Sequence, residues 1–355
     1  MMMIKDIYSQ INNLHVFSKL FSLKQIVSRI FDYPLTINIL ITSDCNLKCK
    51  ICSAKKMMEE KKQLKTSEIT NFINTIARYN PTIFIGGGEP FMREDILEIF
   101  KTIKNNKLRF GAVTNGLLLD RSKVDALLSA QPQVMIFSLH GSGKLHDDVV
   151  GHKGAFELLN RNIKYLNAKR KNMRLILNCV ISEENYEYLE EMVAFGKEIG
   201  VDFVRFEHLI FLNHKEYEKH IEVSTKTFPQ DKCELATYIK DINNVKIGQT
   251  LEKAIPYLRQ KYRNFVFFKP YLNLQELSSW YKRGFFPKRR CLFVQHSLYI
   301  KPNGDIVPCQ FFNNFVLGNI LKDDFIQVWR SMERKSFSQL LNKRLLPGCI
   351  RCCKL

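Results

Sequence analysis

The chain has 355 residues, of which 54 are lysine or arginine and 35 are aspartate or glutamate, so its formal net charge is +19. Hydrophobic residues make up 45% of the sequence and charged residues 25%, which excludes long disorder and fibrous repeats. No apolar run reaches the ~18 residues of a membrane-spanning helix, and we expect a cytoplasmic protein. Because that compartment keeps thiols reduced, the 10 cysteines indicate metal or redox chemistry more than disulfides.

The positive charge is compatible with several partners. A basic surface can bind nucleic acid, an anionic lipid surface, an anionic substrate or a redox partner, or it can reflect a lysine-rich composition without any partner. The sequence contains no zinc-finger spacing, no RNP-type aromatic motif and no dense arginine cluster. We therefore expect no nucleic-acid partner.

Residues 1–34 form a segment that precedes the first strand. Lysines and arginines alternate in it with apolar residues. The apolar residues recur at helical spacing, namely Ile4, Ile7, Ile11, Leu14, Phe17, Leu20, Phe21, Ile26, Val27 and Ile30. This pattern predicts one or two amphipathic helices. They either pack on the main domain or, through residues 1–30, lie on a membrane surface, which would make the protein membrane-peripheral.

From residue 35 to 212, short apolar runs alternate with amphipathic stretches of helical length. The predicted strands are Leu35–Thr42, Thr82–Ile85, Arg109–Thr114, Val134–Leu139, Leu175–Val180 and Val201–Phe206. The predicted helices lie near 67–79, 93–106, 121–129, 154–169 and 185–199, with Asp120 as an N-cap and Gly200 as a terminator. This alternation predicts an α/β fold with parallel strands, either an open sheet or a partial barrel, whose ligand site lies at the carboxyl ends of the strands.

The last two segments are less regular. Residues 213–290 are predicted to form a helical connection or lid that shapes the substrate pocket. Residues 291–355 form a small module that contains five cysteines and a predicted hairpin, in which Leu298–Ile300 and Ile306–Val307 flank a turn.

Three cysteines follow the first strand as Cys45-x3-Cys49-x2-Cys52. Closed structural zinc sites and fully protein-ligated four-iron clusters use four protein ligands, so three thiolates leave one position open for a small molecule. The alternative is a set of structural cysteines on one face of a helix, because these positions also fit helical spacing. Polar neighbours and the position after a strand argue against that alternative.

This loop resembles the signature of the radical S-adenosylmethionine (SAM) enzymes, C-x3-C-x-aromatic-C, although Ile51 stands at the aromatic position. The resemblance implies a partial (β/α)6 TIM-type barrel in which Cys45, Cys49 and Cys52 hold a [4Fe–4S] cluster. It also implies that SAM chelates the fourth iron and is reductively cleaved to a 5′-deoxyadenosyl radical that abstracts a substrate hydrogen.

A glycine-rich stretch, Gly86-Gly87-Gly88-Glu89-Pro90, follows the second strand. A phosphate-binding P-loop is rejected because no Gly-Lys-[Ser/Thr] follows. The stretch resembles the family's Gly-Gly-Glu motif, which implies that Gly87, Gly88 and Glu89 receive the amino group of SAM. After the third strand, Thr114-Asn115-Gly116 resembles the family's Thr-Asn-Gly turn and implies a cofactor contact at Asn115, although Asn-Gly is also ordinary turn chemistry.

Two further strands carry candidate SAM contacts. Ser138-Leu139-His140-Gly141 resembles the family's Ser-x-Asp-Gly, which implies a contact from Ser138, with His140 in place of the acid. Asn178 on the fifth strand matches a position that is often polar near SAM, although backbone groups could equally satisfy it. The arginine that the family often carries near Val150 is missing, and His152 or Lys153 are its candidate substitutes.

The C-terminal module carries a second set of cysteines, Cys291, Cys309, Cys349 and Cys352. Their spacing fits a zinc ribbon or a fully ligated iron–sulfur cluster. The order C-x(9–15)-G-x4-C and then C-x2-C resembles the SPASM/twitch module, as do Leu317-Gly318-Asn319-Ile320 and Trp329. The resemblance implies the shorter twitch form with one auxiliary [4Fe–4S] cluster. Cys353 is an alternative to Cys352 as fourth ligand, and Cys179 and Cys233 remain as idle thiols.

The reaction is less constrained than the cofactors. Some oxidising relatives carry an aspartate after a module cysteine as a base, but Gln310 occupies that position, and we assign no catalytic side chain. We expect a flavodoxin or ferredoxin as electron donor. Because 34 residues are too few for a leader-binding domain, we expect a small-molecule or lipid-linked substrate undergoing dehydrogenation, epimerisation or C–C bond formation. The alternatives are a ribosomal-peptide-modifying enzyme and a non-catalytic iron–sulfur or zinc protein that binds nucleic acid.

Overall fold

The computed structural model describes residues 32–52, 62–229, 235–240, 245–282, 285 and 287–355. The predicted N-terminal helices and Cys233 lie outside these residues, apart from the end of the first segment at 32–34. Among the described residues, no helix combines the length and the apolar character needed to cross a membrane.

A single ten-stranded sheet forms the framework, in the order β10-β9-β8-β1-β2-β3-β4-β5-β6-β7. Strands β1 to β7 are parallel and adjacent in chain order, as expected of successive βα units. The strands are β1 (Thr36–Leu40), β2 (Thr82–Gly86), β3 (Phe110–Thr114), β4 (Val134–Ser138), β5 (Arg174–Val180), β6 (Phe203–Glu207), β7 (Val266–Lys269), β8 (Ser297–Ile300), β9 (Asp305–Val307) and β10 (Gly318–Asn319).

Helices connect most of these strands. They are α1 (Thr66–Ile76), α2 (Ile96–Asn105), α3 (Arg121–Ala130), α4 (Lys144–Val150), α5 (Ala155–Lys169), α6 (Leu189–Glu198), α7 (His214–Thr227), α8 (Val245–Lys261), α9 (Leu274–Trp280), α10 (Phe293–His296), α11 (Phe325–Arg330) and α12 (Met332–Lys343). The apolar stripe of α2 is typical of them, since it buries residues at helical spacing, namely Ile96, Ile99, Phe100 and Ile103.

The two faces of the sheet have different roles. On β1, Ile37 and Ile39 are fully buried in the main core, whereas Thr36 and Asn38 line an internal cavity. Because strand side chains alternate between faces, each strand contributes to the core and to the cavity at once. Full burial of each such apolar side chain contributes about 1.5–3 kcal/mol to the stability of the folded state, and this packing holds the cavity wall in place.

The six predicted strands are confirmed, each within two residues at either end. The helix signals are confirmed too: Asp120 accepts a hydrogen bond from the backbone N–H of Lys123 at 2.8 Å, and Gly200 adopts a positive φ of 72° just beyond α6. Such a left-handed conformation ends a helix with least strain when the residue is glycine.

The region 213–290 differs in part from the expectation of a helical connection. It contains α7, α8 and α9, but also β7, which pairs in parallel with β6 and adds a seventh strand to the partial barrel. Four residues are too few for an alternating pattern to distinguish a strand from a buried loop.

The C-terminal module continues the same sheet. Strand β8 pairs in parallel with β1, and β8 and β9 form the predicted antiparallel hairpin around the turn at 301–304. A buried ion pair joins this module to α7, since Arg351 Nη1 lies 2.7 Å from Glu216 Oε2. The guanidinium also donates to the carbonyl oxygens of Trp280 and Lys282. The cysteines of residues 349–353 are thereby held against the barrel.

Candidate functional site

A cavity of about 1780 Å³ extends along the inner face of the parallel strands. Its wall includes inward-facing residues from β1 to β7 and, at the carboxyl ends of the strands, the loops that follow β1, β2 and β3. This is the edge of a parallel α/β fold at which ligands are expected. Every residue of the first predicted site borders this cavity: Cys45, Cys49, Cys52, Gly87, Gly88, Glu89, Asn115, Ser138 and Asn178.

The first three cysteines lie together on the loop after β1. Cys45, Cys49 and Cys52 are all partly exposed, and the backbone N–H of Cys52 donates to the carbonyl of Cys49 at 3.3 Å. Burial raises the pKa of the Cys45 thiol, and Glu89 and Cys52 add to this shift. The loop is not helical, so the alternative of structural cysteines along one helix face is wrong.

The glycine-rich loop packs directly on the cysteine loop. Gly87 has a φ of +131°, and a Cβ atom there would lie 2.3 Å from the carbonyl oxygen of Thr42. A Cβ on Gly88 would lie 2.1 Å from the carbonyl oxygen of Asp44. The backbone N–H groups of Gly88 and Glu89 donate to these same two carbonyls at 2.8 and 2.7 Å. Glycine is required here because the two backbones are in direct contact.

Glu89 is almost fully buried and organises the neighbouring turn. Its carboxylate accepts hydrogen bonds from the backbone N–H of Asn115 at 2.7 Å, the Thr114 hydroxyl at 2.8 Å and the backbone N–H of Phe91 at 3.1 Å. Burial raises the pKa of Glu89 to about 7, against the effect of these hydrogen bonds. A cationic ligand group at the cavity would favour the ionised carboxylate.

Asn115 connects the turn after β3 to the cysteine loop. Its side-chain amide donates to Asn46 Oδ1 at 2.7 Å, and its own Oδ1 accepts from the backbone N–H of Leu117. The Thr-Asn-Gly sequence is therefore more than an ordinary turn, because it positions the segment between Cys45 and Cys49.

Ser138, Asn178 and Arg205 form a row across β4, β5 and β6, each opposite the next in the sheet register. All three border the cavity, and Arg205 Nε donates to Asn178 Oδ1 at 2.6 Å. A side chain, and not the backbone, therefore holds the Asn178 carboxamide oxygen. The sequence did not single out Arg205, because only the sheet register places it beside Asn178.

His140 borders the cavity as a neutral imidazole, because burial and the neighbouring His146 lower its pKa to about 3. The expectation that His152 or Lys153 replaces the missing arginine is not supported. Both residues are exposed and neither borders the cavity. Arg205 is the cation that the fold brings beside the predicted SAM contacts.

The second set of cysteines surrounds a small pocket of its own. Its lining includes Cys291, Cys309, Cys349 and Cys352 but not Cys353, which agrees with the C-x2-C choice of ligands. Five residues border both this pocket and the large cavity, namely Phe293, Tyr299, Gln310, Lys354 and Leu355. The two predicted cofactor sites therefore face one shared space.

Both sets suit a polynuclear cluster. Within the described ranges, no three His, Cys, Asp or Glu side chains converge closely enough to hold one metal ion. A four-iron cluster spreads its thiolates over separate irons, so the cysteines need to surround a volume and not a point. Three thiols at the rim of the large cavity and four around the small pocket fit that requirement.

Family models match both regions of the chain. Residues 39–196 match the Radical SAM superfamily, and residues 291–353 match the SPASM iron–sulfur cluster-binding domain, which together span more than half of the chain. The chain therefore belongs to the radical SAM superfamily and is an enzyme. More particularly, it is of the SPASM type. Its radical SAM domain binds a [4Fe–4S] cluster and SAM, and its SPASM domain binds auxiliary iron–sulfur clusters.

Individual relatives agree with this family. The chain is 25% identical over 328 residues to an AdoMet-dependent heme synthase of Methanosarcina barkeri, covering 90% of this chain and 88% of the relative. It is 31% identical over 163 residues to an AdoMet-dependent heme synthase of Oleidesulfovibrio alaskensis, and that alignment covers 45% of this chain and 42% of the relative. The fold is similar to Streptococcus suis SuiB bound to its precursor peptide SuiA, with a TM-score of 0.65, 20% identity, and coverage of 92% of this chain and 73% of SuiB.

Proposed function

We propose that Cys45, Cys49 and Cys52 hold the cluster at which SAM is cleaved. The observation that carries this assignment is their common position at the cavity rim, on the loop whose Thr42 and Asp44 carbonyls contact the Gly87–Gly88 backbone. When bound there, the reduced cluster and SAM supply a 5′-deoxyadenosyl radical that abstracts a hydrogen atom from the substrate. The protein's part is to leave one ligand position open and to orient SAM towards the cavity.

The SAM contacts are proposed on three neighbouring loops and strand ends. Gly87 and Gly88 present backbone to the methionine part of SAM, and Glu89 provides negative charge for its amino group while holding the turn at Asn115. Ser138 and Asn178 lie on the next strands of the same wall and face the remaining polar groups of SAM.

Cys291, Cys309, Cys349 and Cys352 are proposed to hold one auxiliary [4Fe–4S] cluster. Because their pocket shares Tyr299, Gln310 and Lys354 with the large cavity, a substrate there can lie next to this cluster. Held by these four cysteines, the cluster would supply either a binding site for the substrate or an acceptor for one of its electrons. Gln310 borders both spaces and has no basic group, so the substrate's proton must leave by another route.

The substrate is proposed to be a small or lipid-linked metabolite that fits the cavity, and the electron donor a flavodoxin or ferredoxin. Peptide modification is the second candidate function, because the chain shares its fold with a protein whose structure contains a precursor peptide. In the proposed organisation, residues 35–212 form the SAM-binding barrel, 213–290 complete the substrate pocket and 291–355 form the auxiliary module.

Anaerobic iron and sulfide analysis tests the two ligand sets separately. We expect about eight irons in the reconstituted protein, about four after replacing Cys45, Cys49 and Cys52 with alanine, and about four after replacing Cys291, Cys309, Cys349 and Cys352. Cys353→Ala is the matched control and should retain about eight. Loss of iron in Cys353→Ala, or an unchanged content in either multiple variant, would contradict the assignment.

A further inference from the structure

The cavity wall is strongly basic. Among the acidic side chains that the structure describes, Glu89 alone borders the cavity. Eight cationic residues border it, namely Arg109, Arg174, Arg205, Lys269, Lys288, Arg289, Arg290 and Lys354. Lys288 and Arg290 are exposed, so positive charge extends from the surface to the interior. A wall of one sign raises the local concentration of ligands of the opposite sign.

Part of this charge is concentrated at the carboxyl ends of β6 and β7. Glu207 is opposite Lys269 in the sheet register, and Arg205 Nη2 lies 3.2 Å from Glu207 Oε1. Burial alone would raise the pKa of Glu207. The charges of Arg205, Lys269 and Lys354 nevertheless hold this pKa below its usual range. Three cations therefore surround one carboxylate, and we refer to these four residues as the basic cluster.

One carboxylate does not balance this cluster. In the described part of the chain, no carboxylate lies within 4.0 Å of the ammonium group of Lys269 or Lys354, whereas Arg205 already uses Glu207 and Asn178. Lys354 and burial lower the pKa of Lys269 to about 8, which reflects unfavourable crowding of positive charge. Buried charges of one sign are retained where a partner of opposite charge completes the site.

The resident cofactors do not account for all of this charge. Lys354 borders the pocket of the auxiliary site, and its backbone N–H donates to Cys352 Sγ at 3.3 Å, so it belongs next to that site. Arg205 bonds Asn178, which faces the proposed SAM position. Lys269 lies on β7, the next strand, where it pairs with Glu207. Because Glu207 is two residues beyond Arg205, Lys269 lies two residues nearer the carboxyl ends of the strands than the row formed by Ser138, Asn178 and Arg205. Of the three cations in the basic cluster, Lys269 is the one that neither bonds Asn178 nor borders the auxiliary pocket.

We propose that the substrate carries an anionic oxygen group, a carboxylate or a phosphate, and that Lys269 binds this group with support from Arg205 and Lys354. This inference rests on the proposed function, because it identifies the substrate class of the same cavity. The basic cluster then anchors one end of the substrate between the SAM site and the auxiliary site. The carbon that reacts lies on the part of the substrate nearer the SAM site.

Anion binding to the reconstituted protein tests this assignment. Titration calorimetry in the presence of SAM would use two probes, pyrophosphate and tricarballylate, with the trimethyl ester of tricarballylate as an uncharged match. We expect at least one anion to bind and the ester not to bind. We expect Lys269→Gln to weaken binding about tenfold or more, and Lys269→Arg to restore part of it. Lys253→Gln, an exposed lysine on α8, is the matched control.

The outcomes separate the possibilities. A preference for pyrophosphate indicates a phosphate group on the substrate, and a preference for tricarballylate indicates carboxylates. Three results would overturn the inference. The wild-type protein binds neither anion, or Lys269→Gln binds the anion with the affinity of the wild type at an unchanged iron content, or the anion and SAM exclude each other. Formation of 5′-deoxyadenosine by the wild-type protein is measured in parallel, because its absence would contradict the proposed function whatever the anion result.

Discussion

At the scale of single residues, the contact between the glycine loop and the cysteine loop is the most restrictive feature of the site. Gly88 allows two backbones to meet where even a methyl group would overlap a carbonyl oxygen. Gly86, two residues earlier, has ordinary van der Waals space for a Cβ atom, with the nearest atom of Leu40 at 3.7 Å. The two positions therefore differ in steric demand within one short segment.

We predict that Gly88→Ala displaces the cysteine loop, whereas Gly86→Ala is tolerated. The overlap in Gly88→Ala should cost about 1–3 kcal/mol in the free energy of unfolding and reduce iron bound by the first cysteine set. Denaturant unfolding and iron analysis of both variants check this. Equal iron content in the two variants would show that the loops can separate without loss of the site.

The sequence predicts the first-site residues because the cysteines, glycines and Asn115 follow strands, whereas Ser138 and Asn178 are polar residues near the carboxyl ends of strands. Arg205 and Lys269 are different, since they lie in short strands that otherwise consist of aromatic and aliphatic residues and Glu207. Only the sheet register places them beside Asn178 and Glu207. A tertiary pairing of this kind leaves no local pattern in the chain.

At the scale of elements, the attachment of the C-terminal module to α7 depends on one buried ion pair. Arg351 and Glu216 are both nearly inaccessible, and the remaining donors of the guanidinium are satisfied by carbonyls. Helix α7 also carries an exposed ion pair, between Lys226 and Glu222 at 2.7 Å. The same helix thus offers a buried pair and an exposed one for comparison.

We predict that Glu216→Ala lowers the free energy of unfolding by about 3–5 kcal/mol, because it leaves the Arg351 guanidinium buried without its partner. Glu222→Ala removes an exposed pair and should cause no measurable change. Urea unfolding of the two variants gives the comparison. Similar destabilisation by both would mean that helix propensity, and not the buried pair, determines the effect.

The six predicted strands and the hairpin of the auxiliary module agree with the structure because they depend on short apolar runs and turn residues. The seventh strand was not predicted, since Val266–Lys269 is too short to show a period. The pairing of β8 with β1 could not be predicted either. It joins residues about 260 positions apart, and only the tertiary fold brings them together.

At the scale of the whole molecule, the net charge of +19 includes a basic cavity wall in addition to exposed lysines. The core also contains neutral histidines. Burial lowers the pKa of His140 and His208 to about 3, and of His146 and His220 to about 4. Because the unfolded chain binds protons near pH 6.5 and the folded chain does not, stability is present above that pH and is lost as the pH falls towards 3–4.

We predict that each such histidine reduces stability by about 1.4 kcal/mol per pH unit below pH 6.5. His208→Gln keeps a polar partner for Tyr281 but cannot take up the proton, so its unfolding free energy should fall less steeply between pH 6 and pH 4. His214→Gln, at the exposed start of α7, controls for the loss of an imidazole. Parallel curves for His208→Gln and the wild type would contradict this explanation.

Reductive cleavage of SAM is the most direct test of the assignment of the first three cysteines. Anaerobically reconstituted protein is reduced with dithionite in the presence of SAM, and 5′-deoxyadenosine is quantified. We predict its formation by the wild type and by Cys353→Ala, and none by the variant in which Cys45, Cys49 and Cys52 are alanine. A protein that contains zinc in place of iron and forms no 5′-deoxyadenosine, or a triple variant that still forms it, would contradict the assignment.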